Sequence, residues 1–438
     1  MDSIKVTYKA IHTEGKVLNW YKSPDTWFWT HGSVNPYRGC EHDCVYCDGR
    51  TEWYGIADFG TLIRIKENAP QRYEKDLLKL GYLPDYRPRS QTIEGFFESS
   101  SNAHSEMKAK NQPPRFPVAI GGGVCDVYQP AERKYRVTRS LLVKQRDFGL
   151  PTTVLTKSKL VLRDIDLFKE INEMNYASVS FSITLCDESL RKRFEPHATA
   201  SRQRFKALKE IRENKLHGGV MLMPILPGVG DSEENLACII ETAKTTDAEF
   251  ILPSGLTLKP GKNKREFINV IQRHFPTLMP LYQELYGNNN RYGIADGTKI
   301  QGINISALAH EMCRKWKIPD RMPRYIPTEV YQTNYLVSTV LANLAYYLQW
   351  VREEPWIKTK LFIEAGNQIE AMDTDIRELP YRKVRARFKL NEEITDIVRE
   401  VIETGHSSLL SEFIPNHQIV ITGTKFDSNQ NWANGEKD

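Results

Sequence analysis

Between Phe116 and Leu258, short apolar runs alternate with charged, amphipathic stretches at a spacing few folds can accommodate. The runs PVAIGGGV (117–124), TTVLTKS (152–158), ASVSFSIT (177–184), GGVMLMPIL (218–226) and EFILPSGLTL (249–258) read as strands. Helical stretches separate them: one near 131–146, then LRDIDLFKEINEM, then DESLRKRFE with RQRFKALKEIREN, and finally DSEENLACIIETAK. Strands that alternate with helices build right-handed βαβ units and hence a parallel sheet. A further strand just ahead of Cys40 brings the series to about six repeats, short of the eight that close a full barrel. The expected fold is therefore α/β, a partial (βα)6 barrel of parallel strands whose chemistry sits at the strands' carboxyl ends.

The rest of the chain reads differently. A strand and a helix (FGTLIRIKE, then QRYEKDLLKL) are expected before a polar stretch, Pro84 to Pro114, which reads as a surface loop or a lid. After Pro260 the pattern is helical, near 264–286, 304–317, 327–353, 356–378 and 391–413. The expected organisation is an N-terminal extension (1–30), the barrel (31–260, with the 84–114 insertion), a mainly helical region (261–426) and a polar tail (427–438). Val330 to Val351 carries no formal charge, yet Gln332, Asn334, Ser338, Asn343 and Gln349 interrupt it. Its apolar residues fall on one helical stripe, which describes a buried bundle helix and not a membrane span. The mixed, charged opening residues and seven unevenly placed cysteines point to a reducing cytoplasm. A net charge of +5 permits a polyanionic partner without arguing for one.

Three of those cysteines lie together in NPYRGCEHDCVYCDGR, residues 35–50. Cys40, Cys44 and Cys47 form C-x3-C-x2-C in the loop after the first strand, at the mouth of the expected barrel. Two metal centres suit them. A structural zinc ion needs a fourth ligand, such as His42, His31, Asp48 or a distant cysteine. A 4Fe-4S cluster held by three thiolates leaves one iron open. Clustered thiols with no ligand would oxidise readily.

This string, with Tyr46 before the last cysteine, resembles the radical S-adenosylmethionine (SAM) superfamily. NPYRGCEHDCVYC followed in order by GGGVCDVYQPAE, LTKSKLVLRD, SFSIT, RFEPHA and PILPG resembles its spore photoproduct lyase-like branch, over roughly residues 30–260. The resemblance implies a reduced 4Fe-4S cluster, fed by an external flavodoxin- or ferredoxin-type donor. That cluster passes an electron to S-adenosylmethionine and yields a 5'-deoxyadenosyl radical that abstracts hydrogen from a substrate. S-adenosylmethionine chelating the open iron would supply the ligand that the three thiols lack.

Other residues fit that implication. Gly121, Gly122 and Gly123 end the second strand, where a missing side chain lets a ligand approach the backbone, although a tight turn needs the same residues. Lys157, at the mouth end of the third strand, could meet the methionine carboxylate; as a bland alternative it is a solvated surface lysine. Ser182 and, two residues earlier, Ser180 could bond the ribose or simply fill the interior. Asp126 could accept from the amino group, orient Arg133 or cap a helix. Two departures from the family pattern stand out: GGGVCD lacks the glutamate of the usual Gly-Gly-Glu segment, and DGR (48–50) lacks an aromatic at its first position.

The branch resemblance also implies a hydrogen-donating thiol after the second strand. Cys125 falls there and Cys186 lies near the mouth, while Cys238 and Cys313 read as helix-face packing. YRKVRARFKL (381–390) alternates Lys383, Arg385, Arg387 and Lys389 with apolar residues and reads as a strand with one basic face, suited to phosphates or to a charged sheet edge. The leading expectation is a radical enzyme, a lyase acting on damaged DNA. Modification of RNA, a peptide or a small molecule is the alternative within that chemistry, and a zinc-stabilised binding module is the alternative outside it.

Overall fold

The computed structural model describes residues 6–84, 112–123, 125–295, 299–300, 303–388, 390–414 and 419–422. Most of the 84–114 insertion and all of the tail from Asp427 lie outside the described residues.

The chain opens with β1 (Thr7–Ile11) and β2 (Leu18–Trp20), then β3 (Gly32–Val34), β4 (Tyr37–Arg38), β5 (Leu62–Lys66) and α1 (Ala69–Lys79). β6 (Val118–Ile120) leads through α2 (Ala131–Tyr135) and α3 (Val137–Asp147) to β7 (Thr152–Thr156). Then come α4 (Ile165–Met174), β8 (Ala177–Ser182), α5 (Glu188–Phe194), α6 (Ser201–Glu213), β9 (Val220–Ile225), α7 (Glu233–Thr245) and β10 (Ile251–Gly255). The main sheet has the order β10-β9-β8-β7-β6-β3-β2. Its strands from β3 to β10 pair in parallel, and β2 joins antiparallel at the edge. This is the expected open barrel of six parallel strands, with no closure between its ends among the described residues. β5 belongs to a separate small sheet with β1 and β4.

Burial explains why these runs are strands. β8 is buried at all six positions, as befits a parallel strand covered on both faces. Helix starts are fixed by side-chain caps: Asp187 accepts from the Ser189 and Leu190 N–H groups, and Ser232 accepts from that of Asn235.

Beyond the barrel lie α8 (Lys262–His274), α9 (Met279–Tyr286), α10 (Ile305–Lys315), α11 (Gln332–Trp350), α12 (Trp356–Glu370), α13 (Tyr381–Phe388) and α14 (Glu392–Thr404). α11 to α14 share a core of their own, centred on Val337, Leu341, Leu344, Phe362, Ile369 and Val398. α11 is buried almost all round and not on one stripe, because Asn334, Ser338 and Asn343 find partners inside. Asn334 bonds the Thr374 carbonyl and the Ile376 N–H, Ser338 donates to Glu370, and Asn343 accepts from Arg321. No helix among the described residues is long and apolar enough to cross a membrane.

Two expectations need correction. Residues 381–388 form α13 and not a strand, since Val384 and Phe388, four apart, turn into the helical core while the Pro380 carbonyl accepts from Lys383 and Val384. Lys383, Arg385 and Arg387 are exposed, and Lys389 lies outside the described residues. Cys186 and Cys238 form a disulfide that ties the β8 loop to α7, so Cys186 carries no free S–H and Cys238 is more than helix packing.

Candidate active site

The loop carrying Cys40, Cys44 and Cys47 leaves the carboxyl end of the β3–β4 segment and is tied down from several sides. Gln129 accepts from the Glu41 N–H and donates to the Gly39 carbonyl. Arg50 donates to the carbonyls of Cys44 and Asp43, both at 2.8 Å. Asn263, at the start of α8, donates to the carbonyls of Tyr46 and Cys47. The cysteines enter this lattice through their backbone carbonyls: Cys40 accepts from the Asp43 N–H, Cys44 from Arg50 and Cys47 from Asn263. The loop is prefolded by its neighbours, as a site built for one bound geometry requires.

All three cysteines are unpaired, and all line one cavity of about 580 Å³. Its wall also contains Tyr46, Asp48, Gly121, Gly122, Gly123, Cys125, Asp126, Lys157 and Ser182. Nearly every candidate residue is thus at the carboxyl ends of the parallel strands. Ser180 is the exception, buried without a partner for its hydroxyl and away from the cavity wall.

The thiols fit a cluster. Burial pushes the Cys44 thiol up to about 12, against the pull of the Lys157 ammonium, so ligation of a metal by this thiolate would release its proton. The Asp126 N–H donates to Cys40 Sγ at 3.3 Å, a contact that favours the thiolate. Among the described residues no three His, Cys, Asp or Glu side chains converge tightly enough to hold a single metal ion.

Asp126 is already committed. Its Oδ1 accepts from Thr156 Oγ1 (2.7 Å) and the Tyr128 N–H (2.9 Å), and its Oδ2 accepts from the Lys157 N–H (2.7 Å) and lies 3.3 Å from His42 Nε2. Burial works to raise this carboxyl, but His42 and the hydrogen bonds outweigh it and hold it below the usual carboxylate range. Asp126 therefore pairs with His42 and not Arg133, and it locks the glycine run to the end of β7. Gly121 takes φ +125°, which favours glycine, and a Cβ on Gly122 would stand 2.9 Å from Asn35 Nδ2.

Lys157 Nζ sits 5.6 Å from the centroid of the buried Tyr46 ring. The Tyr46 hydroxyl donates to Glu195, which forms a fully buried pair with Arg204. Burial works to raise the Glu195 carboxyl, and the Arg204 and Lys157 cations hold it down at about 2. Sequence reasoning gave Glu195 and Arg204 no role, although Glu195 stands in the quoted string RFEPHA; Asn263 carried no signal at all. Asp48, at the position where an aromatic was missing, accepts from Lys259 (2.6 Å) and Thr257 (3.1 Å). Cys125 lies at the cavity wall with Sγ 3.7 Å from Asn35 Oδ1, and burial pushes its thiol up to about 12. Thr153, also on the wall, has a buried hydroxyl with no partner.

An open six-stranded parallel barrel with three free thiols at its mouth is a scaffold for a metal-cluster enzyme, and sequence comparison supplies the family. The model of the radical SAM superfamily matches residues 34–237. An uncharacterized protein of Methanocaldococcus jannaschii is 30% identical over 245 residues, 56% of this chain and 76% of the relative. One of Mycobacterium tuberculosis is 27% identical over 259 residues, 58% of this chain and 66% of the relative. Among solved structures, a spore photoproduct lyase mutant with dinucleoside spore photoproduct superposes at a TM-score of 0.44 and 14% identity, over 71% of this chain and 78% of that one. The chain belongs to the radical SAM superfamily, and with it come a 4Fe-4S cluster and S-adenosylmethionine as cofactors.

Proposed function

We propose that this radical SAM enzyme acts on damaged DNA as a lyase of the spore photoproduct type. When bound, the reduced cluster supplies the electron that splits S-adenosylmethionine into methionine and a 5'-deoxyadenosyl radical. Cys40, Cys44 and Cys47 hold the cluster. Lys157 holds the methionine carboxylate, Ser182 the ribose, and Gly122 and Gly123 keep the wall free of side chains. Tyr46 backs Lys157, and Asp126 acts through its neighbours as a positioning residue. Cys125, kept protonated by its burial, gives the hydrogen atom of its S–H bond to the substrate radical that hydrogen abstraction leaves, and the resulting thiyl takes a hydrogen atom back from 5'-deoxyadenosine. The electron comes from a flavodoxin- or ferredoxin-type donor.

The observation that carries this reading is that the three thiols, Lys157, Ser182 and Cys125 line the same cavity. The order of motifs resembling the photoproduct lyase branch and the exposed cations of α13 support DNA as the substrate class.

The test uses anaerobically reconstituted, reduced protein with S-adenosylmethionine and ultraviolet-irradiated oligonucleotides. 5'-Deoxyadenosine and restored thymines are expected, with Cys125→Ala diverting the substrate to side products. Formation of 5'-deoxyadenosine while damaged DNA stays untouched, with hydrogen lost from peptides or small metabolites of a cell extract, would refute the DNA reading.

A further inference from the structure

Outside the cavity, a row of rings and cations runs along its rim. Tyr54 stands beside Gly123, where a Cβ would be 3.4 Å from the Tyr54 hydroxyl. Lys259 Nζ is 5.7 Å from the Tyr54 ring centroid and 5.9 Å from that of Trp53. The Arg291 guanidinium lies 5.3 Å from the Trp53 centroid and 5.8 Å from that of Tyr292. Trp53 and Tyr292 are 57% and 60% exposed. The row meets the cavity at Asp48, which lines the wall and holds Lys259.

Two large rings left in water beside an active-site mouth forgo the gain of burial, on the order of 25 cal/mol per Å² of apolar surface. Their company narrows what covers them. Among the described residues no carboxylate pairs with Arg291. The nearby Glu52 is engaged with the Lys262 N–H (2.9 Å) and approaches Arg265 (3.7 Å). Ring faces take up flat partners and adjacent cations take up phosphates, the combination that holds unpaired nucleic acid. A duplex hides its base faces in the stack. α13 differs, since its exposed cations Lys383, Arg385 and Arg387 accompany a buried Phe388.

We propose that Trp53, Lys259, Arg291 and Tyr292 form a platform for an unpaired nucleic-acid strand, with a base stacked on Trp53 and its flanking phosphates on Arg291. The platform delivers the strand to the cavity mouth. It rests on the reading that nucleic acid is the substrate, and binding is measured without turnover so that the two can fail separately.

The experiment follows fluorescence anisotropy of a labelled single-stranded pyrimidine DNA of about twelve nucleotides, added to cluster-loaded protein without reductant or S-adenosylmethionine. The parent protein should bind this strand more tightly than a duplex of equal length. Trp53→Ala should weaken binding about tenfold, while Trp53→Phe retains most of it. Arg291→Gln should flatten the salt dependence by about 0.7 in the log–log slope. Thermal melts verify folding, and if Trp53→Ala fails to fold, Tyr292→Ala carries the same expectation. No binding by the parent, a preference for duplex, or undiminished binding by the folded ring variants would overturn the proposal. Trp53-dependent binding, with damaged DNA left untouched in the separate turnover assay, would leave the platform standing and refute only the lyase reading.

Discussion

The two ends of the barrel use polar groups in opposite ways. At the amino ends of the strands, where α11 and α12 pack, buried polar groups pair with one another. Arg324 meets Glu370 at 2.8 Å between the rings of Trp29 and Tyr335, and His31 stacks on Phe116 with Nε2 3.9 Å from Glu370. Trp29 Nε1 donates to the Met322 carbonyl, and Arg321 donates to the carbonyl of Thr26. At the carboxyl ends the thiols, Lys157 and the Ser182 hydroxyl line a cavity. One end spends its polarity on closure; the other keeps it for a ligand.

Mutations should separate the two. Arg324→Ala strands Glu370 in the interior and is expected to cost about 3–5 kcal/mol of stability, read by denaturant unfolding. A loss under about 1 kcal/mol would show that this end is not what holds the helical region on.

Acid should open the closed end first. Burial, with help from Arg324, lowers the His31 imidazole to about 3, so between there and its unfolded value near 6.5 the unfolded chain binds the extra proton. Stability should therefore fall as pH drops from about 6.5 toward 3, by on the order of 5 kcal/mol in all. His31→Phe should remove most of that slope. Glu195 at the mouth, held down at about 2, contributes stability present above about 4.5 and lost as pH falls toward 2. An unfolding transition unchanged by His31→Phe would contradict the order.

Lys157→Ala should do the reverse of Arg324→Ala. It should weaken S-adenosylmethionine binding about tenfold, or about 1.4 kcal/mol, in equilibrium dialysis, while melting temperature and iron content stay near the parent's. Normal binding would remove Lys157 from the carboxylate. The smallest effect is expected on α13, where Arg385→Gln and Arg387→Gln should change stability by under about 0.5 kcal/mol. Each should lower the salt slope of DNA binding by somewhat under one unit, and an unchanged slope would leave α13 a solvated face.

The same contrast explains what could be read from the sequence. The parallel strands were legible because a strand covered on both faces tends to be apolar throughout, as in VMLMPI, and the thiol triplet because its spacing is local. Lys157 and Ser182 followed from their places at strand ends. What escaped depends on contacts between distant segments: Asp126 with His42, Glu195 with Arg204, Asn263 with the cysteine loop, Cys186 with Cys238. Residues 381–388 misled for another reason. Alternating basic and apolar residues fit a strand of period two, while Val384 and Phe388 alone fit a helix of period 3.6, and the helical core decided between them.

The central claim is that the mouth holds a cluster on Cys40, Cys44 and Cys47. Iron and sulfide analysis of anaerobically reconstituted protein, with the paramagnetic signal of its reduced state, tests it most directly. About four irons per chain are expected in the parent and none above background in a folded Cys44→Ala variant. Stoichiometric zinc with no iron–sulfur absorption, or an unchanged cluster in Cys44→Ala, would contradict it.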